Sequence, residues 1–443
     1  MLVKGVSYED PPVRYRGERV LQLAKRLLSS SIRMPDFIDE RFAASLYYML
    51  FLPYPVIEKP AENDSKLLKQ YLVMSTLRLS PKLSEVRKHT IADLTTSLAA
   101  SAVLLEALAR ELSRSHARES GGQGGHGGRE RGRSQEVSEE EVRRSVEKAL
   151  EAAHDVAKQA KEIASFAMTF SAGSASMLSL EDSVQEVINL ARNTDVRAVL
   201  EALKTIEEES IYFRVRRMRS VRGELDGYEK GADLERIVPS ELALPEEYLY
   251  VKYAERSLLL YRKTIGEDYG PFYVLLDKSG SMMGMKILWA KAVALALAQR
   301  AARERREFYL RFFDSVPYPP LHIPRRVRGK DVAKLLEYVA RVRANGGTDI
   351  TRAIMVALED IRNSNTRNKP SDIVLITDGE DRVSVEMLRS SLAAAKARLY
   401  TVMIYGNNPD LRRISESYMV ATKLNREEAL RVLAVSPSGG RHV

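Results

Sequence analysis

Four short runs rich in aliphatic and aromatic residues follow one another after about Glu267: "PFYVLLD", "REFYLRFFD", "SDIVLITD" and "ARLYTVMIY". They restrict the fold of this chain more than any other feature. Each is apolar almost without interruption, as a strand buried on both faces must be. Between them lie the helical segments "MKILWAKAVALALAQRAARER", "GKDVAKLLEYVARV", "DITRAIMVALEDIRN" and "SVEMLRSSLAAAKA". Strand and helix alternating in this way predict an α/β fold with a central, mostly parallel sheet covered by helices on both sides.

The preceding part of the chain has a different period. Apolar residues at helical spacing cover Pro11 to Ser30, Glu40 to Phe51, Lys66 to Thr76, Leu180 to Asn193 and Val196 to Glu208. Two longer helical patterns flank the stretch "GGQGGHGGRERGR", in which almost nothing can be buried, so they are expected to form an antiparallel pair joined by a Gly/Arg-rich tether over 118–136. Ser138 and Glu141 have the spacing of a capping box opening the second of them. The expected organisation is an all-helical domain over 1–220, a connector over 221–268 and the α/β domain over 269–443.

Ligands of parallel sheets collect beyond the carboxyl ends of the strands. There the sequence places oxygen-bearing side chains: Asp277, Ser279 and Ser281 after the first run, Thr348 in "NGGTDIT", and Asp378 closing "IVLITDGE". Two carboxylates and three hydroxyls form a donor set suited to a hard divalent cation, Mg²⁺ or Mn²⁺. The chain has no cysteine and only 6 histidines, which are scattered, so a metal site in it is expected to be built chiefly from oxygen. Asp314 ends another strand and is expected to be solvated, and Lys278, between the site positions, to be exposed. Trp289 is expected in the core, and Met282, Met283 and Met285 beneath or beside the loop.

The combination "DKSGSM", "GGTDI" and "TDGE" resembles the von Willebrand factor A domain with its metal-ion-dependent adhesion site. That resemblance implies Ser279, Ser281 and Thr348 as inner ligands of Mg²⁺ and Asp277 and Asp378 as outer ones, with one position open to a carboxylate from a partner protein. The connector, with "DLERIVPSELA" followed by "LLLYR" shortly before "GPF", is similar to the segment preceding the A domain in bacterial ViaA-type proteins. It implies a non-enzymatic adaptor working beside a MoxR-type AAA+ ATPase, and the opening "MLVKGVSYEDPPVRYRGERV", with acidic residues and prolines and no apolar core segment, adds the expectation of a cytoplasmic location.

Two other classes remain open. The net charge of +9 and the helical domain also fit a Ro-like RNA-binding protein, whose affinity should fall steeply with salt. A strand ending in Asp with a second Asp nearby also fits a Mg²⁺-dependent phosphotransfer enzyme. Such enzymes of the haloacid dehalogenase type want D-x-D, however, and here the sequence is D-K-S. The chain carries no G-x-x-x-x-G-K-[ST] motif, so ATP hydrolysis is not expected of it. Its apolar runs are all shorter than the roughly 20 residues a membrane helix needs.

Overall fold

The computed structural model describes residues 1–29, 32–60, 64–121, 139–170, 180, 183–207, 218–265, 269–364 and 369–434. The chain divides into two compact units, one formed by residues 1–200 with 327–341, the other by 201–326 with 342–443.

The first unit is helical, with α1 (Pro11–Leu27), α2 (Glu40–Phe51), α3 (Ser65–Leu79), α4 (Lys82–Thr90), α5 (Leu94–Gly121), α6 (Glu139–Thr169), α7 (Val184–Ala191) and the start of α8 (Thr194–Glu207). Proline in the first turn of α1 forgoes an amide that has no intrahelical partner there. Asp39 caps α2 by accepting from the Phe42 amide at 2.8 Å. Helices α5 and α6 pack along each other through small and aliphatic side chains such as Ala102, Leu105, Ala109, Val146, Ala149 and Ala153, all buried. Glu106, also buried, pairs with Arg110 on its own helix and with Arg192 at 3.0 Å, so its charge is compensated from two sides. Helix α5 continues to Gly121, so residues 118–121 are helical where the tether was expected. Arg118 and Glu119 are good helix formers that extend the long helix before them, and Gly121 stands at its end, where glycine is at home. The rest of the expected tether, with Ser138 of the capping box, lies outside the described residues.

His89 of α4 and His154 of α6 stand with ring centroids 5.6 Å apart. Burial first, then the charges of His154, Lys161 and Lys158, hold His89 below the ordinary imidazole range. A depressed folded value means that the unfolded chain binds the proton more readily. Stability from this group is therefore full above the unfolded value of about 6.5 and is lost as pH falls from there toward the folded value. The melting temperature should drop on acidification from pH 7 to 5.5, and His89→Gln should flatten that slope. An unchanged slope in the variant would exclude the histidine pair as its cause.

The second unit begins with the end of α8. A two-stranded antiparallel ribbon follows, β1 (Met218–Gly231) paired with β2 (Leu258–Ile265), with α9 (Pro239–Leu242) and α10 (Glu246–Ala254) between. The remaining strands are β3 (Phe272–Asp277), β4 (Phe308–Phe313), β5 (Leu321–Ile323), β6 (Ser371–Thr377), β7 (Ala397–Ile404) and β8 (Ser417–Ala421). They form one sheet in the order β5-β4-β3-β6-β7-β8, parallel except for the short edge strand β5. Every residue of β3 and of β6 is buried, as the continuous apolar runs require. The helices are α11 (Met285–Arg303), α12 (Gly329–Arg341), α13 (Ile350–Asn363), α14 (Val385–Ala394), α15 (Pro409–Ile414) and α16 (Arg426–Ala434). Of these, α12 groups with the first unit, where it packs against α7. One core layer joins Tyr273 and Leu275 of β3 to Ile350, Ile354 and Leu358 of α13 and to Leu388 of α14. The sequence patterns had not distinguished the ribbon, nor β5 and β8, which as short edge strands carry too few residues to establish a period.

Candidate metal centre

From β3 the chain moves to β4 on one side, and later returns to β6 on the other side of β3. This reversal opens a crevice beyond the carboxyl ends of the two central strands, where open α/β sheets bind ligands. Register decides what meets there. Leu276 pairs with Ile376, so Asp277 stands beside Thr377 and Asp378 follows immediately.

Asp277 is fully buried. One carboxylate oxygen accepts from the Ser279 amide at 2.7 Å and the other from the Thr377 hydroxyl. Burial pushes its carboxyl above the ordinary range, the Thr377 hydroxyl and the Ser279 amide work against that shift, and the nearby Asp378 charge adds to it. Ser279 Oγ lies 3.0 Å from Ser281 Oγ, and Ser281 Oγ donates to Asp378 Oδ1 at 2.7 Å. Thr348 is brought in by close approach: a Cβ on Gly379 would lie 3.0 Å from Thr348 Cγ2 and 3.6 Å from Asp277 Oδ2. Only a glycine at 379 leaves that space open. The structure thus gathers Asp277, Ser279, Ser281, Thr348 and Asp378 at one sheet edge.

The loops are stapled by their backbones. The Gly280 amide donates to the Gly346 carbonyl at 2.9 Å, the Asn345 amide to the Lys278 carbonyl at 2.6 Å, and the Lys278 amide to the Phe313 carbonyl at 2.8 Å. Gly346 has φ +98°, and a Cβ there would lie 2.8 Å from Asp314 Oδ2. Gly346→Ala is expected to cost about 1–3 kcal/mol through strain and this collision, read as a lower midpoint in urea. A wild-type midpoint would contradict the reading of this loop as tightly held.

Two expectations about the neighbours are corrected. Lys278 is buried, not exposed, and Asp314 is buried, not solvated. They form an ion pair at 2.7 Å, and Tyr318 Oη donates to the same Asp314 oxygen at 2.8 Å. Burial raises the Asp314 carboxyl, but Lys278, the Val316 amide and Tyr318 outweigh it and leave it below the ordinary range. Each charge tolerates burial because the adjacent strand ends supply the other. Met283 and Met285 are exposed, at 69% and 68%, while Met282 alone is buried beneath the loop. Trp289 is buried, with Nε1 donating to the Asn425 carbonyl at 3.3 Å.

Thr377 and Lys286 went unremarked in the sequence, although both touch the site. Thr377 was legible in principle as a hydroxyl at the last position of an otherwise aliphatic strand. Lys286 was not, since its position on a helix gives no sign that it reaches Asp378.

Residues 272–380 match the von Willebrand factor type A domain. This segment is a von Willebrand factor A domain. A mostly parallel six-stranded sheet with flanking helices is the architecture in which the matched segment sits. Domains of this type are protein-interaction modules. Two uncharacterized proteins of Methanocaldococcus jannaschii are 28% identical to the chain, over 52% and 55% of its length. The matches span 55% and 63% of those relatives. Among solved structures, a von Willebrand factor type A protein from Catenulispora acidiphila is 19% identical at a TM-score of 0.32, with 41% of this chain and 45% of that one covered. The ArnB paralog VWA2 from Sulfolobus acidocaldarius is 17% identical at a TM-score of 0.28, with 38% and 45% covered. Among the described residues no helix is long and apolar enough to cross a membrane.

Proposed function

We propose that the A domain holds a divalent cation, Mg²⁺ or Mn²⁺, through Asp277, Ser279, Ser281, Thr348 and Asp378, and through it binds an acidic side chain of a partner protein. The observation that carries this reading is the gathering of Ser279, Ser281, Thr348 and Asp378 around the buried Asp277 carboxylate, whose ionisation burial disfavours. The donors fit the cation. Hydroxyls and carboxylates suit a hard ion, and a positive charge in the crevice offsets the cost of the buried Asp277 charge. A set with only two carboxylates leaves the ion electrophilic, so that a bound cation supplies a centre able to accept a further carboxylate oxygen.

The protein acts on this reading as a cytoplasmic, non-enzymatic adaptor. The resemblance of the connector to ViaA-type proteins supports a MoxR-type AAA+ ATPase as the partner, with ATP-driven remodelling or maturation of a protein complex as the partner's work. The exposed Met283 and Met285 beside the site favour a protein ligand, since flexible thioethers adapt to apolar partner surfaces.

Affinity capture on the immobilised full chain tests it, with Mg²⁺ against EDTA and Asp277→Ala beside wild type. Recovery of an AAA+ ATPase only with metal and with intact Asp277 is the expected result. Recovery regardless of metal would remove the cation from the interface. Recovery of RNA with steep salt dependence would favour a Ro-like role instead.

A further inference from the structure

We infer that Lys286 is a resident counter-cation of the site, whose ammonium holds Asp378 and opposes the divalent ion, so that the ion must displace it to bind. This rests on the cation-binding reading above.

Lys286 Nζ lies 2.7 Å from Asp378 Oδ2 and 3.1 Å from the Ser281 carbonyl oxygen. It therefore bridges the loop after β3 to the end of β6, the two segments whose oxygens a divalent ion would join. Both Asp378 oxygens are engaged, Oδ1 by Ser281 and Oδ2 by Lys286. The Asp378 side chain is only 3% exposed and that of Lys286 27%, so solvent screens the pair less than it would a surface pair. Placement on the helix is also unfavourable in itself. Lys286 is the second residue of α11, at the positive end of the helix dipole, where a cation is disfavoured. Its carboxylate partner compensates for that position.

A divalent ion at Asp378 would meet this ammonium as a like charge at close range. The ammonium has an alternative nearby, because Nζ already lies 5.5 Å from the centroid of the Tyr405 ring, whose face is a favourable seat for a cation. Lysine suits such a role better than arginine would in one respect: a compact charge on a flexible stem changes partners without a fixed fork to align. Lys286 acts here as a positioning residue. It keeps the two segments in register without metal, and that same contact limits how tightly the metal binds.

The two effects have opposite signs, which separates this role from simple packing. The full-length protein, stripped with EDTA and returned to metal-free buffer, is titrated with Mn²⁺ alone, free Mn²⁺ being read by electron paramagnetic resonance. Wild type is compared with Lys286→Met and Lys286→Arg, and each is also melted in EDTA. The expected result is that Lys286→Met melts lower without metal yet binds Mn²⁺ about tenfold more tightly, in the usual range of coupling between two ligands. Lys286→Arg, which keeps the charge, should melt near wild type without metal and bind Mn²⁺ no more tightly than wild type. Unchanged or weaker Mn²⁺ binding in Lys286→Met, with wild type binding normally, overturns the inference and leaves the cation site standing. Failure of every variant to bind Mn²⁺ overturns both. If only Lys286→Met binds, the inference is upheld in its strongest form.

Discussion

Asp277→Asn is expected to weaken divalent-cation binding by about 10–100-fold, the usual cost of altering a group that organises a metal site, while raising the melting temperature measured in EDTA. The rise follows from burial. The Asp277 carboxyl is fully buried and is held above its ordinary range by desolvation, against the help of the Thr377 hydroxyl and the Ser279 amide. A carboxyl raised in the folded state costs stability as pH rises through the unfolded value of about 3.9 toward the folded one, and the whole cost is present at neutral pH. Asparagine removes the charge, keeps an oxygen for the Ser279 amide and turns an NH₂ toward Thr377 Oγ1. A gain on the order of 1 kcal/mol would read as about 2–4 °C in a domain of this size. Calorimetry in EDTA and a Mn²⁺ titration check the two halves. A variant that melts below wild type in EDTA, or binds Mn²⁺ as well as wild type, contradicts the assignment of Asp277 as a carboxylate held for a cation.

Lys278→Met should be the most destabilising single change near the site. Each side chain of the Lys278–Asp314 pair is about 10% exposed, and the lysine ammonium also lies 4.6 Å from the centroid of the Tyr318 ring. Removing the lysine leaves a buried carboxylate without its counter-charge, a loss of about 3–5 kcal/mol. In this domain that amounts to a melting temperature lower by roughly 10 °C. Adding Asp314→Leu to the same protein should recover part of the loss, because it removes the stranded charge, although the Val316 amide and the Tyr318 hydroxyl then lose the acceptor that Asp314 gives them. If the double variant is no more stable than Lys278→Met, the cost lies in lost packing around the lysine stem rather than in the stranded charge.

The α/β architecture was legible because β3 and β6 are buried along their whole length and carry an apolar run through their middle, with polar residues only at their ends. That Asp277 and Asp378 stand where this kind of sheet binds ligands was legible because each follows a buried run at its carboxyl end, whereas Thr348, in a loop between two helices, could be named only from the motif it belongs to. Local reasoning failed where a side chain's environment comes from a distant segment. Lys278 sits between loop residues and looked exposed, yet the end of β4 supplies Asp314 and the two bury each other. Lys286 was passed over for the same reason, and what Thr377 bonds to was hidden in the same way, although its place at the end of an aliphatic strand was legible. Their partners, Asp277 and Asp378, come from other parts of the chain, and only strand register and the path of α11 bring them within hydrogen-bond reach.

The sequence by itself determined the alternation of elements, the buried strands and the types of donor at their ends, since each depends on periodicity or on composition within a few residues. Only the tertiary structure decided which of those donors meet, which charges pair, and that a lysine bridges the two halves of the site. Those outcomes depend on the pairing of β3 with β6 and on the stapling of the loops after β3 and before α13, contacts between residues far apart in the chain that no local pattern records.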